Sequence, residues 1–190
     1  MADSAIESLD QLSQTLQSQS AVYTAGSMAE SFIRNHIYTG QGFSPLSAAT
    51  EGYRGKGRPL QDTGALRDSI TYEVNGSTAF VGTESKYAPL HNSGGTITAK
   101  KNWLFIPAAG TRQLERLYGR KPKDVLAGLR TNGASVFRIG RTVCYSSAKN
   151  GHEPKVVYYL KKSVNIPKRE FFYLSDYEVN LILKEIAPKV

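Results

Sequence analysis

The stretch from Arg58 to Gly95, RPLQDTGALRDSITYEVNGSTAFVGTESKYAPLHNSGG, constrains the chain most, because it spells three short elements in a fixed order. Asp62 and Thr63 offer side-chain oxygens to the free N–H groups of a short helix reaching Ser69. Ile70, Tyr72 and Val74 then alternate with Thr71 and Glu73, the period of a half-buried strand. Asn75-Gly76 supplies the positive φ angles of a tight hairpin turn. Ala79, Phe80 and Val81 return towards Gly82. A helical segment follows and ends at Gly94-Gly95. It carries Tyr87 and His91, four residues apart on one face, a spacing that predicts a packing or hydrogen-bonding pair. The stretch contains no complete catalytic set.

The flanking sequence is helical at both ends and strand-rich between them. Ile6, Leu9, Leu12 and Leu16 form an apolar stripe. Gln17–Ser20 interrupts it, which leaves two helices or one bent helix. A second stripe, Ala25, Met28, Ala29, Phe32, Ile33 and His36-Ile37, runs to a flexible break at Gly40-Gln41-Gly42. Ser44-Pro45 reads as N-cap and N1 of a short helix over Leu46–Tyr53. Arg54–Arg58 (RGKGR) lacks the spacing and context of a phosphate cradle and reads as a mobile surface loop. Trp103–Pro107 is a buried-strand pattern. Leu114, Leu117 and Tyr118 mark one helix, and Val125, Leu126 and Leu129 after Lys121-Pro122 mark another. Val136–Ile139 pairs with Thr142–Tyr145 around Gly140-Arg141. Asn150-Gly151 is a second hairpin signal. Val156–Leu160 continues through Val164 and Ile166 as one long strand. At the end, Ser175 and Glu178 form an S-x-x-E capping box. Behind it Val179, Ile182, Leu183 and Ile186 share a face, and Pro188 is the stop. The expected fold is α+β: an antiparallel sheet packed with N-terminal and C-terminal helices, with an inserted basic β-rich lobe.

The charge is concentrated. Residues 100–170 hold 16 Lys/Arg against 4 Asp/Glu, more than the whole chain's net +8. Such a concentration selects a polyanion or an acidic protein surface. Lys100, Lys101, Arg120, Lys121, Lys123, Arg130, Arg138, Arg141, Lys161 and Lys162 are the candidate interface or DNA-facing residues. The length of 190 residues suits one domain. No segment approaches the ~20 apolar residues that cross a bilayer, so no membrane partner is expected. Asp3 and Glu7 stand where a signal peptide would be basic.

Catalytic and metal constellations are not expected, nor is a cofactor. Cys144, the single cysteine, excludes an internal disulfide and sits in an apolar strand pattern, where it reads as a buried structural residue. His36, His91 and His152 show no ligand spacing. Asp62 and Asp68 are accounted for by capping and solvent. A carboxylate nuclease needs several acids around Mg²⁺, and the basic segment contributes only Glu115, Asp124, Glu153 and Glu170. Tyr158-Tyr159 and Phe171-Phe172-Tyr173 lie in runs where aromatics pack in a core. Any approach to DNA is expected to be through phosphates, without sequence preference.

Three ordered motifs resemble the phage virion morphogenesis (tail completion) family of Mu-like tailed bacteriophages. The first is Pro59–Ile70, with Asp62, Thr63, Gly64, Leu66, Arg67 and Ser69. The second is Val81-Gly82-Thr83 followed by Tyr87-Ala88-Pro89-Leu90-His91 and Gly94-Gly95. The third is Ser163–Asp176, with Pro167, Arg169, Phe171, Leu174 and Ser175. Glu170 departs from the family's usual proline, and Asn92-Ser93 from its polar-aromatic pair. On this resemblance the single domain 1–190 divides into an N-terminal helical region (1–42), a family core (43–99 and 163–190) and the basic inserted lobe (100–162). The resemblance implies a structural, non-enzymatic head–tail joining protein of the virion, assembled in the host cytoplasm. It implies a homo-oligomeric ring around the DNA channel, with a hexamer as one stoichiometry and the number of subunits left open. Its partners would be other neck and tail proteins, with phosphate-backbone contact to packaged DNA as a further possibility. Tail terminator, connector and assembly factor stay open as forms of that role. The alternatives are a sequence-nonspecific nucleic-acid-binding module and, behind it, a hydrolase.

Overall fold

The computed structural model describes residues 10–11, 13–14 and 18–187. The Ile6–Leu16 stripe and the Pro188 stop lie outside the described residues. The chain forms two compact units. Unit 1 combines Met1–Phe43, Pro59–Ser93 and Lys168–Val190; unit 2 combines Ser44–Arg58 and Gly94–Pro167. Residues 100–162 fall wholly within unit 2. The α+β class expected from the sequence is the class observed, with helices and antiparallel pairings throughout.

Unit 1 is built on a long helix, α1, Gln19–Thr39. The Ser18 hydroxyl of the QSQS run is its N-cap, accepting from Ala21 N–H at 3.2 Å, and Gly40 ends it in the left-handed region at φ 61°. Its buried side follows helical spacing: Ala21, Val22, Gly26, Ala29, Ile33 and Ile37. Gly26 allows a close approach to the hairpin, since a Cβ there would lie 2.5 Å from Tyr72 Cδ2. That hairpin is β1 (Ile70–Asn75) and β2 (Thr78–Thr83), antiparallel, in register from Ile70 opposite Thr83 to Asn75 opposite Thr78.

The turn sits one residue later than the sequence predicts. Asn75 belongs to the strand, and Gly76-Ser77 makes the turn with Gly76 alone at positive φ, 60°. Glycine at the first central position favours the II′ form over the I′ form. The preceding helix is a single turn, α3 (Ala65–Asp68), and its N-cap is Gly64 rather than Asp62 or Thr63. Helix α4 (Ala88–Ser93) follows the hairpin. The core of the unit is Ile33, Ile37, Ile70, Ala88 and Phe171, with Phe43, Leu60, Leu66 and Val81 packed against it.

Unit 2 begins with α2, Ala48–Arg54. Its N-cap is Ser47, whose hydroxyl accepts from Thr50 N–H at 3.3 Å, so the predicted start at Ser44-Pro45 moves forward by three residues. Strand β3 (Gly95–Thr98) pairs antiparallel with β8 (Ser163–Ile166). A second sheet holds β4 (Leu104–Pro107), β5 (Ser135–Ile139), β6 (Thr142–Ser146) and β7 (Lys155–Lys161) in the order β4-β7-β6-β5. The long strand expected over 156–166 is therefore two strands. It breaks at Lys162 because β7 is held by β4 and β6 while β8 is held by β3. Asn150-Gly151 is not a two-residue hairpin turn: a 3-10 turn at Ala148–Asn150 starts a longer connection between β6 and β7.

Two helices precede β5, namely α5 (Thr111–Tyr118) and α6 (Pro122–Thr131), the latter opened by Pro122. Val125 and Leu129 of α6 pack on Ala134, Val143, Val157, Tyr158 and Leu160. Gly128 makes room for Tyr118, whose ring a Cβ would strike. Cys144 is buried in β6, 3.6 Å from the Thr142 hydroxyl.

Candidate functional site

In unit 1 the motifs build a scaffold. Leu66 is half-buried against the core, and Arg67 faces outward in an ion pair with Asp68 at 2.8 Å. Thr63 Oγ1 accepts from Ala65 N–H at 3.4 Å. Ser69 donates to Leu66 C=O at 2.8 Å and shares a hydrogen bond with Thr83 Oγ1 at 2.7 Å, which ties the α3 turn to the far end of β2. Gln61 Nε2 donates to the carbonyls of Ile37 (2.8 Å) and Tyr38 (2.5 Å), closing the C-terminus of α1.

The closing motif docks on the second one. His91 C=O accepts from Arg169 N–H at 2.9 Å. Asn92 Oδ1 accepts from Phe171 N–H at 3.0 Å and Phe172 N–H at 2.9 Å. Arg169 and Phe171 are buried, and Leu174 is half-buried. The sequence marked Asn92 only as a departure from a family pattern, yet it satisfies two backbone donors at once. A short polar side chain just before Gly94, at φ 72°, is the signal that could have marked it as an anchor.

The Tyr87–His91 pair is a backbone link rather than a ring contact. His91 N–H donates to Tyr87 C=O at 3.1 Å, while the Tyr87 side chain is exposed. His91 Nδ1 is buried with no hydrogen-bond partner, and burial together with the nearby Arg169 charge holds the imidazole pKa below its ordinary value. A neutral ring with a packing role fits these surroundings.

A second junction joins the chain's helical ends. Helix α7, Asp176–Ile186, has the full reciprocal capping box between Ser175 and Glu178. Its inward residues are Glu178 and Ile182, whereas Val179 and Leu183 are exposed, so the expected four-residue apolar face is split. The reason lies in α1. His36 Nε2 meets Glu178 Oε1 at 2.8 Å, and Nδ1 lies 3.0 Å from Phe171 C=O. Tyr173 stacks on the imidazole with centroids 4.2 Å apart. Burial works against the Glu178 carboxylate, but hydrogen bonds from Ser175 and His36 outweigh it and hold the pKa below the ordinary value. Nothing in local sequence pairs residues 142 positions apart.

Unit 1 exposes apolar and aromatic residues among its acids. An open groove of about 510 Å³ runs between the β2–α4 loop and Phe171-Phe172, floored by Ala88, Pro89 and Asn92. Tyr177 and Leu183 of α7 are also exposed.

Unit 2 presents cations. All ten predicted basic residues are exposed. Arg141, Lys161 and Lys162 line one groove. Arg138 and Lys162 lie over the Trp103 ring, at 5.4 and 4.3 Å from its centroid. Lys100 and Lys101 lie between β3 and β4, Arg120 and Lys121 lie between α5 and α6, and Lys123 and Arg130 lie on α6. Exposed apolar residues are interspersed: Leu117, Phe137, Ile139 and Tyr159. Beneath this surface, Tyr53 donates to Glu115 at 2.5 Å. Burial, reinforced by Glu115 and Tyr53, pushes the Tyr158 phenol up to about 12.

Counted over the two units, the charge separates by sign. Unit 1 carries 7 Lys/Arg against 12 Asp/Glu; unit 2 carries 17 against 4. Among the described residues no three His, Cys, Asp or Glu side chains come together as a metal site, and no helix is long and apolar enough to cross a membrane.

An α+β chain whose motif residues serve packing and capping, and whose surface carries segregated charge and exposed rings, has the features of an interaction protein. The sequence model of the phage virion morphogenesis family matches residues 6–113, more than half of the chain, and the chain belongs to that family. The match takes in the first two motifs and stops short of the third at Ser163–Asp176. No curated protein and no solved structure matches the chain. Membership gives a phage structural role in morphogenesis, in a family that is not known as enzymatic.

Proposed function

We propose that this protein joins head and tail in a tailed bacteriophage, at the neck or tail end, by assembling with copies of itself into a ring around the DNA channel. The observation that carries the reading is the separation of charge between units, set within a morphogenesis family. A cyclic ring uses heterologous contacts, in which one patch of a subunit meets a different patch on the next. An acidic unit and a basic unit on every copy supply such unlike patches. Electrostatic complementarity of this kind fixes orientation and speeds encounter. Exposed Tyr177 and Leu183 on unit 1, and Leu117, Phe137 and Ile139 on unit 2, supply apolar area for the interface or for neck and tail partners. The motif residues hold the scaffold that presents these patches.

Complementation tests the reading. A phage lacking this gene is supplied with the chain carrying Lys121→Glu and Lys123→Glu, exposed cations of unit 2 outside the groove that Arg141, Lys161 and Lys162 line. The expected result is separate heads and tails in the lysate, from a variant that melts close to the parent. Normal joining by that folded variant contradicts it.

A further inference from the structure

We propose that the groove at the β7–β8 junction of unit 2 is a binding site for the phosphodiester backbone of DNA, engaged without reading base sequence. The groove is open and about 450 Å³ in volume, and its walls include Arg141, Thr142, Tyr159, Lys161, Lys162 and Ser163. Strand register builds it. Thr142 stands opposite Tyr159 across β6 and β7, and Leu160 N–H donates to Arg141 C=O at 2.8 Å, which holds the β5–β6 turn beside the end of β7. The β5–β6 turn and the end of β7 therefore deliver Arg141 and Lys161 to one place. The third cation is fixed: Lys162 Nζ donates to Asn102 C=O at 2.7 Å and lies over Trp103.

Among the described residues no Asp or Glu lines the groove. Arg141 and Lys161 are exposed. Hydroxyls from Thr142 and Ser163 stand among the cations, and Lys/Arg with Ser/Thr is the donor set that phosphate oxygens recruit. The Tyr159 ring, 42 % exposed, adds an apolar surface beside them, suited to a sugar edge or an unstacked base. An acidic protein surface would use the same cations, whereas a nucleic acid strand brings phosphates to the cations and hydroxyls and a sugar or base to the ring. An open groove lined by cations and hydroxyls meets phosphates rather than base edges, so binding there is indifferent to sequence. This inference does not rest on the ring reading: a monomer with the same groove would bind the same way.

The test is fluorescence anisotropy with labelled duplexes of two unrelated sequences, each about 20 base pairs, titrated at several salt concentrations. Both duplexes are expected to bind alike. Arg141→Ala combined with Lys161→Ala should weaken binding at least about tenfold at low salt and reduce the slope of log K against log salt by roughly 2, the loss of two phosphate contacts. Lys121→Ala combined with Lys123→Ala, exposed cations elsewhere on the unit, should change binding by less than about twofold under the same salt-controlled conditions. Equal losses from the two pairs would overturn the proposal, because they would mean diffuse charge without a site. So would an absence of binding at low salt. A parallel titration with polyglutamate gives the remaining outcome. If it binds as tightly as DNA and loses as much on the Arg141/Lys161 change, the groove belongs to an acidic protein partner and the DNA assignment is wrong. None of these results bears on the oligomeric mass, so failure here stays distinct from failure of the ring.

Discussion

Unit 1 and unit 2 reach compactness by the same means and present opposite surfaces. Each buries a small apolar cluster, around Ile37, Ile70 and Phe171 in one and around Val125, Val157 and Tyr158 in the other. Each uses a helical glycine, Gly26 or Gly128, where an aromatic ring comes close. Yet unit 1 has more acids than bases, with 12 Asp/Glu to 7 Lys/Arg, while unit 2 has 17 bases to 4 acids. A core does not require either sign, because most of these charges are exposed and contribute little to stability. Their separation is therefore better explained by what each unit meets outside itself than by folding.

The comparison breaks most severely through the cores. Phe171→Ala removes a fully buried ring and is expected to cost about 3–5 kcal/mol. Hydrogen exchange should rise in unit 1 amides and stay near the parent in unit 2. A uniform rise across both would show that the units are one cooperative body. Next comes the α1–α7 junction. Glu178→Ala leaves His36 without its carboxylate partner and opens the capping box, and losing a cap together with a hydrogen bond costs about 1–3 kcal/mol. A denaturant midpoint within error of the parent would show that the junction carries no stability. Gly128→Ala then tests unit 2. The added Cβ strikes Tyr118 at an expected cost of about 1–3 kcal/mol from overpacking, against about 1 kcal/mol gained in helix propensity. A stabilised variant would mean that the ring moves aside freely.

A finer contrast lies in pH. His91 has a lowered pKa in the folded state, so its contribution is present above its ordinary value of 6.5 and is lost as pH falls through the folded value. Glu178, also lowered, contributes above 4.5 and is lost in stronger acid. Tyr158 is raised from 10.0 to about 12, so its contribution is intact below pH 10 and is lost as pH climbs through the folded value. Unit 1 should therefore loosen first in acid and unit 2 first in alkali. Hydrogen exchange corrected for its intrinsic pH dependence checks this, and loosening in the reverse order would refute it.

Much of the scaffold was legible because it is written locally. The alternation of Ile70, Tyr72 and Val74, the S-x-x-E box at Ser175 and the stripe ending at Gly40 each specify an element within a few residues. The errors have physical causes. The hairpin turn slipped by one because Asn75-Gly76 and Gly76-Ser77 are both turn-competent, and register with Thr78 decides between them. The strand over 156–166 read as continuous because its break at Lys162 comes from a change of partner strands, which periodicity does not record. The apolar face of α7 split because Glu178 is drawn inward by His36, from the other end of the chain. On the surface, composition showed a basic segment. It did not show that Arg141 and Lys161 share a groove, which depends on β6–β7 pairing, nor that Asn92 anchors Phe171 and Phe172.

The central claim is that unlike charge on the two units joins copies of this chain. Light scattering on the purified protein across a salt series tests it most directly. The account predicts a defined oligomer at low salt that falls towards the 20.9 kDa single chain as salt screens the contact. A single-chain mass at every salt and protein concentration would contradict it.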